Sequence, residues 1–288
     1  MIKLSNVSYV YMSGGPFEKK AVDDVSLTLN SGEFIGLMGH TGSGKSTLIQ
    51  MIAGIIKPTL GTIEIDGEIL HSKECDMRSM RFKTGLVMQY PEYQLFEETV
   101  FRDIAFGPLN MGLSHDEIAR RVEFAADLVG LKRELLEKSP FELSGGQKRR
   151  AAIAGIVAME PTLLILDEPT AGLDPAGREE ILSRIRDLHR RMGITVLFVS
   201  HSMEDIANMA DRIVVMNHGK AAMQGKPSEI FKRAEELKKI GLSVPQITDV
   251  CARLRERGIP ISDGIYTVDA ARAELEKILK NPSVRDMK

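Results

Sequence analysis

The chain has 288 residues, 43% of them hydrophobic and 27% charged, which is enough apolar material for about two packed domains and excludes wholesale disorder. Its 38 Lys+Arg against 40 Asp+Glu leave a formal charge of −2, so no global field draws it to nucleic acid or to an anionic membrane, and any polyanion must be held locally. Two cysteines far apart in sequence, Cys75 and Cys251, make neither a zinc site nor a disulfide framework.

The amino terminus, MIKLSNVSYVY, is polar within its first six residues and has no apolar stretch of signal-peptide type. The longest apolar runs, such as Ala151 to Met159, fall well short of the roughly 20 residues that cross a bilayer. Work at a membrane would therefore need other chains to span it. Alternation in IKLSNVSYVY and AVDDVSLTLN predicts an antiparallel edge, followed by a buried strand, FIGLMG. A glycine loop and the helix STLIQMIAGI come next, closing at Gly54. Ser114 and Glu117 have capping-box spacing, with Ile118, Val122, Ala125, Leu128 and Val129 on one helical face and Gly130 at its end. LLILD at Leu163 to Asp167 and ITVLFVSH ending at His201 read as buried parallel strands. Asp174-Pro175 opens a helix to about Met192 between them. After Gly225 short charged helices follow, so residues 231–288 read as a carboxy-terminal appendage, either a solvated cap or a dimerisation segment.

Three clusters carry chemistry. Gly39-His40-Thr41-Gly42-Ser43-Gly44-Lys45-Ser46, with Thr47 directly after, fits G-x-x-x-x-G-K-[ST] between a strand and a helix. Glycines let backbone N–H groups converge on phosphate, the helix start adds its positive dipole end, Lys45 reaches the β and γ phosphates and Ser46 ligates Mg²⁺. The strand LLILD delivers Asp167 and Glu168 at its carboxyl end. Asp167 suits the magnesium, and Glu168 suits orienting or deprotonating the attacking water. Leu143-Ser144-Gly145-Gly146-Gln147 makes a second anion-binding helix start. One nucleotide needs one phosphate loop, so this second site calls for a different task.

LSGGQ together with the phosphate loop and LILDE resembles the ATP-binding-cassette (ABC) ATPase family. The resemblance implies an α/β P-loop NTPase with a parallel core sheet, an antiparallel β subdomain and a helical subdomain at about 90–160. These form an ATPase domain at 1–230, followed by the small helical appendage. It implies ATP and Mg²⁺ as ligands and a head-to-tail dimer with a second ABC ATPase, in which Ser144, Gly145, Gly146 and Gln147 close on the opposite nucleotide. Gln89 matches the glutamine that senses Mg²⁺ and the γ-phosphate. Asp174, in Ala171-Gly172-Leu173-Asp174, matches the loop that crosses the interface, and His201 the switch histidine. Tyr11 matches the aromatic that stacks on adenine, with Tyr9 as the other possibility. All of these are intact, which implies hydrolysis. The segment QYPEYQLFEETVFRDIAFGPLNMG, PFEKKAV, GHTGSGKST and GLSVPQITDV resemble the ATPases of energy-coupling factor transporters. These take up vitamins or transition-metal ions through a membrane coupling protein and a substrate-binding membrane subunit, with the ATPase on the cytoplasmic face. A conventional ABC importer or metal-ion uptake ATPase is the alternative, and a soluble cassette acting on DNA or ribosomes is a third possibility.

Overall fold

The computed structural model describes residues 1–280. Strands β1 (Ile2–Tyr11) and β2 (Lys19–Leu29) pair antiparallel, Ile2 opposite Leu29 and Tyr11 opposite Lys19. They are not an edge of the core sheet. With β4 (Leu60–Ile65) and β5 (Glu68–Ile69) they form a separate four-stranded sheet, order β2-β1-β4-β5. The reason is packing: Ile2, Leu4, Val25, Leu27 and Ile63 point inward and share one cluster with Leu48 and Ile52 of helix α1 (Lys45–Ile52). A single half-buried layer thus covers α1 and one face of the second sheet.

That second sheet has six strands in the order β10-β9-β3-β8-β7-β6. They are β3 (Phe34–Met38), β6 (Thr84–Val87), β7 (Leu163–Asp167), β8 (Thr195–Val199), β9 (Arg212–Asn217) and β10 (Lys220–Gly225). All neighbours are parallel except the β9–β10 hairpin. The strands β3 and β8 are buried along their whole length, as continuous apolar runs demand when both faces are covered.

Helix α2 (Met77–Lys83) precedes β6, and between β6 and β7 the chain inserts α3 (Val100–Asn110), α4 (His115–Leu128) and α5 (Gly145–Val157). The apolar face of α4 is buried at Ile118, Val122, Ala125 and Leu128. Its capping box is only half made. Ser114 Oγ accepts the Glu117 N–H at 3.4 Å, but the Glu117 carboxylate takes hydrogen bonds from Arg120 and Arg121 instead. Two guanidinium groups outcompete one backbone amide. Helices α6 (Pro175–Met192) and α7 (Met203–Met209) flank β8.

The carboxy-terminal helices are α8 (Pro227–Lys232), α9 (Ala234–Lys239), α10 (Gln246–Glu256) and α11 (Val268–Lys280). Packing does not break at residue 230: Ile230, Phe231, Leu237, Leu242 and Val244 belong to the main core cluster. A small cluster of its own, Cys251, Ile261, Ile265 and Ala271, begins beyond Pro245. The end of the expected appendage, 281–288, lies outside the described residues. Among the described residues no helix is long and apolar enough to cross a membrane.

Candidate active site

Four neighbouring strands, β3, β8, β7 and β6, bring their carboxyl ends to one mouth, the place where open α/β sheets collect ligands. The cavity there is about 470 Å³. The segment after β3 contributes Thr41, Gly42, Gly44, Lys45, Ser46 and Thr47; β6 leads to Gln89, β7 to Asp167 and Glu168, and β8 to Val199 and His201. Tyr11, Lys19 and Ala21 close the cavity from the antiparallel sheet.

The loop after β3 is fixed by its own contacts. Lys45 Nζ donates to the carbonyls of Gly39 at 2.6 Å and His40 at 3.1 Å. Gly44 has φ +102°, and a Cβ there would run into the Ala21 carbonyl oxygen, so only glycine fits. Gly39, His40 and Ser43 do not line the cavity; they brace the loop from behind. The His40 ring bonds Asn217 Oδ1 at 3.1 Å and meets His218 edge-on. Ser43 is fully buried, and its carbonyl accepts the Gly219 N–H at 2.9 Å. The β9–β10 turn is therefore the loop's support.

Tyr11 is 40% exposed at the cavity wall, and its hydroxyl lies 3.2 Å from Thr47 Oγ1. Tyr9 meets Tyr11 edge-on at 4.8 Å and packs against the core, so of the two rings it is Tyr11 that lines the cavity. Lys19 was not singled out from sequence. It enters because the β1–β2 register sets it opposite Tyr11, and that pairing was the only signal for it.

Burial governs the charges. It lowers Lys45, countered by Glu168 and Asp167, and it raises Asp167. Burial, then the neighbouring Asp167 charge, pushes Glu168 up to about 7. Glu168 stands at φ +52° with its N–H bonded to the Val199 carbonyl at 3.0 Å, and its Oε1 is buried without a hydrogen-bond partner. His201 Nε2 is 3.6 Å from that oxygen. Burial and Lys45 hold His201 below its ordinary value, so at neutral pH it is an uncharged imidazole and the approach is not an ion pair.

The donors suit magnesium. A hydroxyl (Ser46), an amide oxygen (Gln89) and a carboxylate (Asp167) share the wall, all hard oxygen ligands. Among the described residues no cluster of three His, Cys, Asp or Glu forms a protein cage. Magnesium typically takes one or two protein ligands and completes its shell with phosphate and water.

Ser144, Gly145, Gly146, Gln147 and Asp174 are not brought to this cavity. Ser144 caps α5 in a complete capping box, accepting the Gln147 N–H at 3.3 Å and donating its own to Gln147 Oε1 at 2.9 Å. Asp174 caps α6 through the Gly177 N–H at 2.7 Å.

The ABC transporter family matches residues 22–171. The energy-coupling factor transporter ATP-binding protein EcfA2 of Clostridium tetani is 56% identical over 281 residues, spanning 97% of this chain and 98% of the relative. Among solved structures, cbiO1 of Clostridium perfringens, part of the ABC transporter complex cbiONQ, has a TM-score of 0.74 at 37% identity, over 88% of this chain and 98% of its own. A dimeric ATP-binding cassette in a post-hydrolysis state, bound to ADP and Pi, has a TM-score of 0.69 at 30% identity, over 78% of this chain and 98% of its own. A phosphate loop facing two acids and a histidine, on a fold shared with these cassettes and with identity running the length of the chain, makes this an ATPase using ATP and Mg²⁺; the chain belongs to the ABC transporter family, among its energy-coupling factor transporter ATP-binding proteins.

Proposed function

We propose that the chain is the ATP-hydrolysing subunit of an energy-coupling factor transporter, bound peripherally at the cytoplasmic face of the cell membrane and powering uptake of vitamins or transition-metal ions through membrane partners. The observation that carries this is the meeting of Lys45, Ser46, Gln89, Asp167, Glu168 and His201 on one cavity. The phosphates lie along the backbone N–H groups of the loop and the start of α1, with Lys45 on the β and γ phosphates. The ring of Tyr11 stacks on the base. Ser46, Gln89 and Asp167 would hold the magnesium, which when bound neutralises charge on the β and γ oxygens.

Glu168, poised near 7 with a free buried oxygen, is matched to general-base work at neutral pH. The water oxygen bonds to the γ-phosphorus as the bond to the bridging oxygen breaks, and the water proton passes to Glu168. Neutral His201 donates a hydrogen bond to the γ-phosphate and keeps the water in line.

A second ABC ATPase, the same chain or a similar one, packs head to tail. A Cβ at Gly145 or at Gly146 would meet nothing within 4 Å in this chain, so the need for two bare backbones lies outside it. Closure sets Ser144, the glycines and Gln147 on the partner's nucleotide, with Asp174 crossing the interface. Residues 1–230 serve as the ATPase domain, with the helical subdomain at about 90–160. The segment 231–288 serves dimerisation. An apolar groove of about 360 Å³ including Leu95, Phe96, Phe106 and Met159 follows the Gln89 turn and receives the helices of a membrane coupling protein.

The test is affinity purification of the tagged chain from gently solubilised membranes, with ATPase assay of the same eluate. A large coupling membrane protein, a second ATPase and a small membrane-embedded binding protein are expected. A paired permease with an extracytoplasmic binding protein would move the assignment to a conventional importer, and ribosomes or DNA-repair proteins alone would overturn transport.

A further inference from the structure

Arg149 is the only fully buried arginine among the described residues, at 2% exposure. It sits one turn into α5, below the Ser144 cap. Its Nε and Nη2 donate to the two carboxylate oxygens of Glu92 at 2.9 and 2.6 Å. Its Nη1 donates to the carbonyls of Pro169 at 3.1 Å and Ala171 at 2.8 Å. Only a planar fork with five N–H groups satisfies a carboxylate and two carbonyls together.

These partners come from two turns that adjoin active-site residues. Glu92 lies in the short turn Pro91–Gln94 that directly follows Gln89 and Tyr90, and the Tyr90 ring lies 5.9 Å from the guanidinium. Burial opposes ionisation of Glu92, yet the Arg149 hydrogen bonds hold its carboxyl below the ordinary range. Pro169 and Ala171 belong to the turn that Glu168 opens, and the Ala171 N–H closes that turn on the Glu168 carbonyl at 3.0 Å. Glu168 itself is in the left-handed region, a conformation that persists only where the surroundings over-determine it. Neutralising a buried guanidinium requires one carboxylate. The two further bonds go to the backbone that shapes the Glu168 turn.

We propose that Arg149 is a positioning residue for ATP hydrolysis: it locks the strained turn that aims Glu168 and makes that turn one body with the Gln89 turn and with the helix that Ser144 caps. Occupancy at Gln89 and closure over Ser144 are thereby felt at the Glu168 carboxylate through a single side chain. The inference rests on the roles proposed above for Glu168 and Ser144.

The test is steady-state ATPase of the full chain with Mg-ATP for Arg149→Lys, Glu92→Gln and Glu168→Gln. Lysine keeps the charge and loses the fork, so kcat is expected to fall at least about tenfold. The KM for ATP should stay within about threefold, because Arg149 touches no residue of the phosphate loop. Glu92→Gln keeps the two carbonyl bonds, so a smaller loss of kcat, about two- to fivefold, is expected at unchanged KM. If Arg149→Lys does not fold, Glu92→Gln decides: lowered kcat at constant KM supports the assignment, and unchanged kcat overturns it. Glu168→Gln inactive beside Arg149→Lys with wild-type kcat overturns this inference alone. Glu168→Gln at the wild-type rate overturns the catalytic reading together with it.

Discussion

Two glycine-rich helix starts in this molecule are built on opposite terms. At Gly44 the left-handed backbone and the crowding by Ala21 explain the glycine from within the chain. At Gly145 and Gly146 the φ angles are ordinary and the surrounding space is open, so nothing inside the chain forbids a side chain. The first site is finished by its own fold, with Lys45 anchored, a tyrosine at the rim and two acids and a histidine opposite. The second presents a helix end on which Ser144 and Gln147 cap one another. On the reading proposed above, one half binds nucleotide in a single chain, whereas the other works against a second ATPase.

The largest effects should fall on the first half. Lys45→Ala and Glu168→Gln are both expected to lower turnover by about 10² or more. They should part company in equilibrium binding, since Lys45→Ala loses ATP while Glu168→Gln retains it. Wild-type turnover in either would break the comparison on its stronger side.

Valine scanning of the glycines sharpens it. Gly44→Val forces a β-branched residue into a left-handed, crowded position and should unfold or severely destabilise the chain, read as a large drop in Tm. Gly145→Val should cost stability no more than about 1 kcal/mol, leave nucleotide binding intact, and abolish turnover. A Gly145→Val chain that hydrolyses normally would remove the reason for a second subunit.

Smaller effects separate the two tyrosines. Tyr11→Ala should raise the KM for ATP by about fivefold, the value of one aromatic stack, with little loss of stability. Tyr9→Ala should do the reverse, costing about 2 kcal/mol from the core with KM unchanged.

The smallest effect concerns pH. The carboxyl of Glu168 is raised from its ordinary 4.5 to about 7 in the folded chain. Below about pH 4.5 it is protonated in both folded and unfolded states and costs nothing. Between about pH 4.5 and 7 the unfolded chain ionises while the folded chain keeps the buried carboxyl protonated, so stability is lost across that window and its loss is complete above 7. Glu168→Gln should therefore raise Tm at pH 8 by more than at pH 5. An equal gain at both values would contradict the burial of this carboxylate.

Much of this was legible in sequence because short-range chemistry determines it. The strand-loop-helix at Gly39 to Ser46, the strand ending in Asp167 and Glu168, and the Asp174-Pro175 helix start are each set by neighbours in the chain. What escaped depends on distant packing. Lys19 reaches the cavity only through its register with Tyr11. Phe231 and Leu237 sit in charged stretches, and only the folded core shows them to be its continuation. Glu117 had the spacing of a capping residue, but Arg120 and Arg121 claimed it. Arg149 belongs with these, because its partners, 57 and 22 positions away, come together around it only in the fold.

The shared-site claim is tested most directly by co-expressing a tagged Lys45→Ala chain with untagged wild-type chain, isolating the tagged complexes, and exposing them to ATP bearing a photoreactive group on its γ-phosphate. The tagged chain has no working phosphate loop of its own. Label on its Ser144 to Gln147 segment, delivered by nucleotide held in the neighbouring ATPase, is the predicted result. Label confined to the chain that keeps Lys45, in complexes shown to contain both, would contradict it.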